Sequence, residues 1–198
     1  MSKTGVMKDL DLDTKQKAIL DAAWTAFATY GFRKTSMDDI ARGAGMSRAA
    51  LYLHYRNKDD IFQTLVRHCY DKCSAALAAA LNQDGAVPEV LETAVLAQGE
   101  IVVRPMLSSA HGMELMEAGT TTSSEMVHEG EARLRKIYAD WLARHEKAGD
   151  VTLPGSAEEM AALITSSLKG AKVTAGSYDD YCQSVRMLAA VFGAGIAN

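Results

Sequence analysis

Apolar residues recur along this chain at intervals of three and four, with no strict alternation of any length, so the pattern predicts helices and no sheet. A first helix opens at Asp13, with Gln16 placed to complete a capping box. It carries Ile19, Ala23 and Phe27 on one face and stops at Gly31. Asn57 and Lys58 open a long helix through about Leu81, with Ile61, Phe62, Leu65, Val66, Cys69 and Leu77 on its apolar side. Residues 82–85 read as a loop. Pro88 needs no amide partner in a first turn and begins a helix that continues through Val102, until Pro105 breaks or kinks it. A shorter helix spans about Met106 to Glu117, and Gly119 with the run 120–124 reads as a loop. Another long helix covers about Ser124 to Lys147 and ends near Gly149. Pro154 and Gly155 mark a turn, Ser156 and Glu159 form a capping box, and two last helices run about Ala157–Thr174 and Tyr178–Ala197. The expectation is an all-α chain of about nine helices, preceded by a mobile arm at residues 1–12.

Between the first helix and the long one, Thr35 to Lys58 has a more particular grammar. Ser36 caps a short helix, with Asp39 three residues on. Ile40 and Ala41 face inward, and Gly45 stands where the chain must turn out of that helix. Ser47 caps a second short helix, on which Leu51 and Tyr55 share one face. The small Ala41 allows the two helices to approach closely. This is the pattern of a helix-turn-helix, whose second helix lies in the DNA major groove.

Composition and charge narrow the class. With 48% hydrophobic and 23% charged residues over 198 positions, the chain is globular and long enough for a real core. No apolar run is long enough to span a bilayer, and the N-terminus lacks a signal-peptide core, so a cytoplasmic protein without membrane contact is expected. The net charge of −4 does not announce a nucleic-acid binder, yet its distribution permits one. Residues 1–60 hold ten Lys/Arg against eight Asp/Glu, and phosphate binding needs locally placed cations, not a basic whole. Three cysteines make no framework for a secreted fold. Cys69 and Cys73 lie one helical turn apart beside His68 and read as small buried hydrophobes, with a metal- or redox-responsive pair as the alternative.

From Ile19 to Phe62 the order and spacing of residues resemble the DNA-binding domain of the TetR family of bacterial transcriptional regulators. The matching positions are Ile19, Ala23, Phe27, Gly31 and Phe32, then Thr35, Ser36, Asp39, Ile40 and Ala41, then Ala44 to Ser47, Leu51, Tyr52, His54, Tyr55 and Lys58. The resemblance implies a DNA-binding head over residues 1–57, and a body over 58–198 that binds an effector and dimerises. On the head, Arg48, Ala49 and Ala50 are placed to meet base edges, Tyr52 and His54 to reach phosphate or bases, and Thr35, Ser36, Ser47 and Lys58 to meet the backbone of a double-stranded operator. In the body the resemblance implies an effector pocket, for which Met106, His111, Met113, Met116, Tyr138 and Trp141 offer adaptable apolar and aromatic walls suited to an apolar or aromatic small molecule. For the last two helices it implies a four-helix homodimer contact through Ile164, Leu168, Ala171, Val185, Leu188 and Phe192. A two-fold dimer reads two half-sites, which one short recognition helix cannot do alone. The implied activity is that of a ligand-released repressor.

An enzyme is the rival class. Glu125-Met-Val-His128 has the spacing of a di-iron ligand pair, but the motif occurs once, and His111 to Glu114 has it reversed. A metal-dependent helical-bundle enzyme therefore ranks below the regulator. The chain also lacks a glycine-rich phosphate loop and a Gly-x-Ser-x-Gly elbow. No catalytic residue, metal or cofactor is expected.

Overall fold

The computed structural model describes residues 13–197, so the arm expected at 1–12 lies outside the described residues. Among these there are nine helices: α1 Thr14–Tyr30, α2 Met37–Gly43, α3 Arg48–Tyr52, α4 Lys58–Leu81, α5 Val87–Leu107, α6 Gly112–Thr122, α7 Ser124–Ala148, α8 Ala157–Thr174 and α9 Tyr178–Ile196. The sole extended pairing among them is an isolated antiparallel bridge between Val151 and Ala197. None of these helices is long and apolar enough to cross a membrane.

Local chemistry sets most boundaries. Asp13, Ser36 and Ser156 each close a capping box, with Gln16, Asp39 and Glu159. The Ser36 hydroxyl and amide both donate to Asp39, which holds that carboxyl below its ordinary range. Two boundaries differ from the sequence expectation. Pro105 does not end α5, which runs on to Leu107; a proline in the final turn removes one donor only, to the carbonyl of Ile101. The Cys69 thiol lies 3.9 Å from that carbonyl. Also, α6 begins at Gly112, not Met106, and extends through the threonines of the expected loop. Thr120 and Thr121 donate their hydroxyls back to the Glu117 carbonyl, which suits them to a last helical turn.

Two apolar cores result. The body core joins α4, α5, α7, α8 and α9 around Leu77, Leu91, Tyr138, Trp141, Leu142, Ile164 and Val185. The head core packs α1 to α4 around Ile19, Phe27, Ile40, Leu51 and Phe62, with Leu115 and Ala118 of α6 inside it. Residues from both sides of position 57 therefore share the head core. Phe27, Phe32 and Phe62 meet with ring centroids 4.8 to 5.7 Å apart and join the end of α1 to the start of α4.

Candidate nucleic-acid interface and body cavity

The turn between α2 and α3 is a Schellman closure. The Met46 amide donates to the Ala41 carbonyl and the Gly45 amide to Arg42, with Gly45 at φ +67°. Ser47 caps α3 by accepting from the Ala50 amide. Leu51 and Tyr55 are buried against α1 and α2, which fixes the opposite face outward. That face shows Arg48, Ala49, Tyr52 and Leu53 to solvent, with Ala50 and His54 half-buried at its margin. The Arg48 guanidinium lies over the Tyr52 ring, donates to the Tyr52 hydroxyl at 3.2 Å and pairs with Asp38 at 2.9 Å. All these partners are on the surface, so a base edge can replace them at small cost. Sequence reasoning passed over Leu53, which is 85% exposed. Its signal was a large apolar residue two positions after the buried Leu51, on the opposite side of the helix.

Four other expected phosphate contacts have structural work. Thr35 is buried and donates its hydroxyl to the carbonyls of Gly31 and Ala26. Ser36 and Ser47 are occupied as caps. The Lys58 ammonium donates to the carbonyls of Phe32, Arg33 and Thr35 at 2.7, 3.0 and 3.1 Å and lies over the Phe32 ring. It therefore closes the loop between α1 and α2. Lys58→Met is expected to destabilise the chain by about 2–4 kcal/mol, because three carbonyls lose a charged donor. A urea melt followed by circular dichroism checks this. An unchanged midpoint with a flattened salt dependence of DNA binding would return Lys58 to phosphate contact.

The expected effector residues separate. Met106, Met113 and Met116 line a cleft of ≈ 330 Å³ between α4, α6, α7 and α8, beside Val66 and Leu115. A second cleft of ≈ 400 Å³, walled by Trp24, Leu65 and Pro105, shares Phe62, Val66, Cys69, Val102, Met106 and Leu115 with the first. The two clefts lie where head and body meet, and each is in the size range of small-molecule sites, roughly 300–1,000 Å³. His111 lies outside it, against a shallow hollow with Tyr30 and Lys34, 3.3 Å from Glu114. Tyr138 and Trp141 are buried in the body core, and the Tyr138 hydroxyl donates to Gln98 at 3.1 Å. Long aromatic side chains on a helix packed against α4, α6 and α8 fill the core before they can line a cleft. Trp24, from the head, was not anticipated because its cavity exists only once α1 is laid across α4 and α5.

One helix serves both regions. Towards the cavity α6 presents Met113, Leu115 and Met116. Towards the head it presents Glu114, whose carboxylate accepts from the Arg33 amide at 2.8 Å, and Glu117, which pairs with the Arg33 guanidinium. The Arg33 amide and the neighbouring His111 hold the Glu114 carboxyl below its ordinary range. Just before α6, Ser109 donates to the Ala28 carbonyl at 3.0 Å, and Gln63 donates to Thr122 at its far end.

The expected dimer residues also divide. Ile164, Leu168, Ala171 and Val185 are buried in the chain's own core, so they are not available to a partner. Leu188 and Phe192 are half-buried against that core. The large apolar groups left facing outward are Leu163 and Val173 on α8 and Met187 and Val191 on α9.

Cys69 and Cys73 are unbridged. Each thiol acts on the other, which holds Cys69 below and Cys73 above the ordinary range, and burial pushes both up; their hydrogens point to the carbonyls of Ile101 and Gln98. No group of three or more His, Cys, Asp or Glu placed to hold a metal occurs among the described residues.

Residues 19–65 match the family model described as bacterial regulatory proteins, tetR family. The chain is 38% identical over 53 residues to the biofilm operon icaADBC HTH-type negative transcriptional regulator IcaR of Staphylococcus epidermidis. That match covers 27% of this chain and 29% of IcaR, so the likeness is one of the head. A transcriptional regulator from Cytophaga hutchinsonii superposes with a TM-score of 0.78 at 20% identity, covering 94% of this chain and 100% of that one. SmeT of Stenotrophomonas maltophilia, in complex with triclosan, superposes with a TM-score of 0.65 at 20% identity, covering 93% and 92%. These structural likenesses carry the fold of head and body together.

Proposed function

From a head that matches the tetR family of bacterial regulatory proteins, on a body with the fold of such regulators, we propose that this protein is a ligand-responsive transcriptional repressor. Residues 1–57 are its operator-reading head, and residues 58–198 its effector-binding and dimerising body. It acts as a homodimer on a palindromic site, with the two α3 helices about 34–36 Å apart, one turn of B-DNA. Arg48, Ala49, Ala50, Tyr52 and His54, with Leu53 added, read or brace the major groove. Outward Leu163, Met187 and Val191 bring the dimer together beside Leu188 and Phe192.

The observation that carries this reading is the double duty of α6. The same helix walls the cavity with Leu115 and Met116 and holds the loop after α1 through Glu114. A ligand that prefers a different seating of α6 also moves the head, and its differential affinity shifts the population away from the DNA-competent spacing. SmeT, with the same fold, has been captured with the small molecule triclosan.

Selection of bound duplexes from a random library tests the proposal. A palindromic consensus is expected, and Arg48→Ala should relax one base position in each half-site, on the order of 10- to 100-fold in discrimination. No enrichment over random duplex, or an unchanged consensus with Arg48→Ala, would overturn the assignment.

A further inference from the structure

The cavity between α4, α6, α7 and α8 is chemically lopsided. Its floor is hydrocarbon from Val66, Val102, Met106, Leu115 and Met116, and its charged side is made by Glu117, Glu131 and Lys169. Towards α8 stands a cation, Lys172, which lines both this cavity and an adjoining hollow of ≈ 180 Å³. Lys172 forms no hydrogen bond or ion pair among the described residues. The carboxylate acting on it most strongly, Glu131, is already held by Lys169, which donates to both oxygens at 3.1 and 3.3 Å. Arg135 adds a further positive charge to the hollow. Burial pushes the Lys172 ammonium below its ordinary range, and the nearby Lys169 pushes the same way. Lys172 is half-buried and shares the charge of Glu131 with Lys169, so an anion delivered beside it offsets an unbalanced positive charge.

We propose that the effector is an amphipathic carboxylate, with an aliphatic body along the wall of Val66, Met106 and Leu115 and its carboxylate on Lys172. This deepens, and rests on, the reading of the cavity as the effector site. It also departs from the purely apolar or aromatic ligand expected from methionines and aromatics alone, since Tyr138 and Trp141 are not in the wall. A bond from ammonium to carboxylate in a poorly solvated site discriminates strongly against an uncharged head group.

Dodecanoate and dodecanol, titrated against the full chain below their micellar concentrations, test this. Trp24 lines the neighbouring cleft, which shares Val66, Met106 and Leu115 with this one, so its fluorescence reports a chain laid along that wall, with Trp141 in the body core as background. Dodecanoate is expected to bind about 10- to 100-fold tighter than dodecanol. Lys172→Met should bring the two affinities together by weakening dodecanoate and leaving dodecanol unchanged, while Lys172→Arg keeps the preference. Lys172→Gln serves in the same way should the methionine variant not fold. Equal affinities in the unaltered protein, absence of binding, or a preference that survives loss of the Lys172 charge would overturn the proposal. Because occupancy is read without DNA, a chain that takes dodecanoate but selects no duplex refutes the regulator and leaves the carboxylate site standing.

Discussion

Glutamates at positions 163 and 191 together are expected to leave this protein monomeric and to weaken operator binding by at least about 100-fold. Leu163 and Val191 are 52% and 66% exposed, one on each of the last two helices, and neither contributes to the core of its own chain. Charging them should therefore change the stability of a single chain by only about 0.5 kcal/mol. In a dimer the same two carboxylates would be buried, without a counter-ion, against their own copies. Affinity falls although the head is untouched, because a palindrome bound through two linked heads benefits from the effective concentration of the second. Sedimentation of Leu163→Glu/Val191→Glu beside a titration on the selected palindrome measures both effects. A variant that remains dimeric places the partner surface elsewhere. A folded monomer with full affinity removes the two-half-site mechanism. Leu188→Glu is a poorer probe, since Leu188 packs partly on its own core and the charge would also disturb the fold.

Two glycines of α6 are expected to respond to alanine with opposite signs. At Gly112 a methyl group would collide with the Met106 carbonyl oxygen and lie 2.7 Å from its carbon, both backbone atoms that no rotamer change can move. The α5–α6 turn must then open, and Gly112→Ala should cost about 3 kcal/mol, the upper end for overpacking. For a chain of this size that is a fall of roughly 6–12 °C in Tm. Gly119 is buried on the same helix, but nothing lies within 4 Å of a methyl group added there. Gly119→Ala should stabilise by about 0.5–1 kcal/mol, through the lower chain entropy of alanine in the unfolded state. Calorimetric melts of the two variants give the signs directly. Equal shifts would mean that α6 is not seated through Gly112. The position matters for function because Glu114 follows two residues later, and any displacement of this turn acts on its bond to the Arg33 amide.

The helices and the head were legible because their signals are local. A capping serine or aspartate and its partner lie three residues apart, and a buried helical face repeats every three or four. Thus Ser36 with Asp39, Gly45 after α2, and Leu51 with Tyr55 all occur as read, and the outward set from Arg48 to His54 follows from them. Where local signals compete, the sequence alone misled. Pro105 reads as a break, yet one missing donor in a last turn is tolerated. Thr35 and Lys58 read as phosphate ligands, yet Thr35 donates to the Gly31 carbonyl in its own loop and Lys58 to the Phe32 carbonyl across the head.

By itself the sequence determined the helical class, the helix-turn-helix and the side of α3 that stays exposed, because backbone capping and helical periodicity act within a few residues. Tertiary structure alone decided which apolar stripe stays outside and which residues bound the cavity. Ile164 and Leu163 are neighbours in sequence and equally aliphatic, and only the packing of α8 on α7 buries one and exposes the other. Trp24, Met106 and Lys172 come from three separate helices, and no spacing along the chain records that Met106 lines one cleft with Trp24 and another with Lys172. A cavity is the volume that packed helices leave unfilled, so its walls follow from how the whole body closes and not from any one segment.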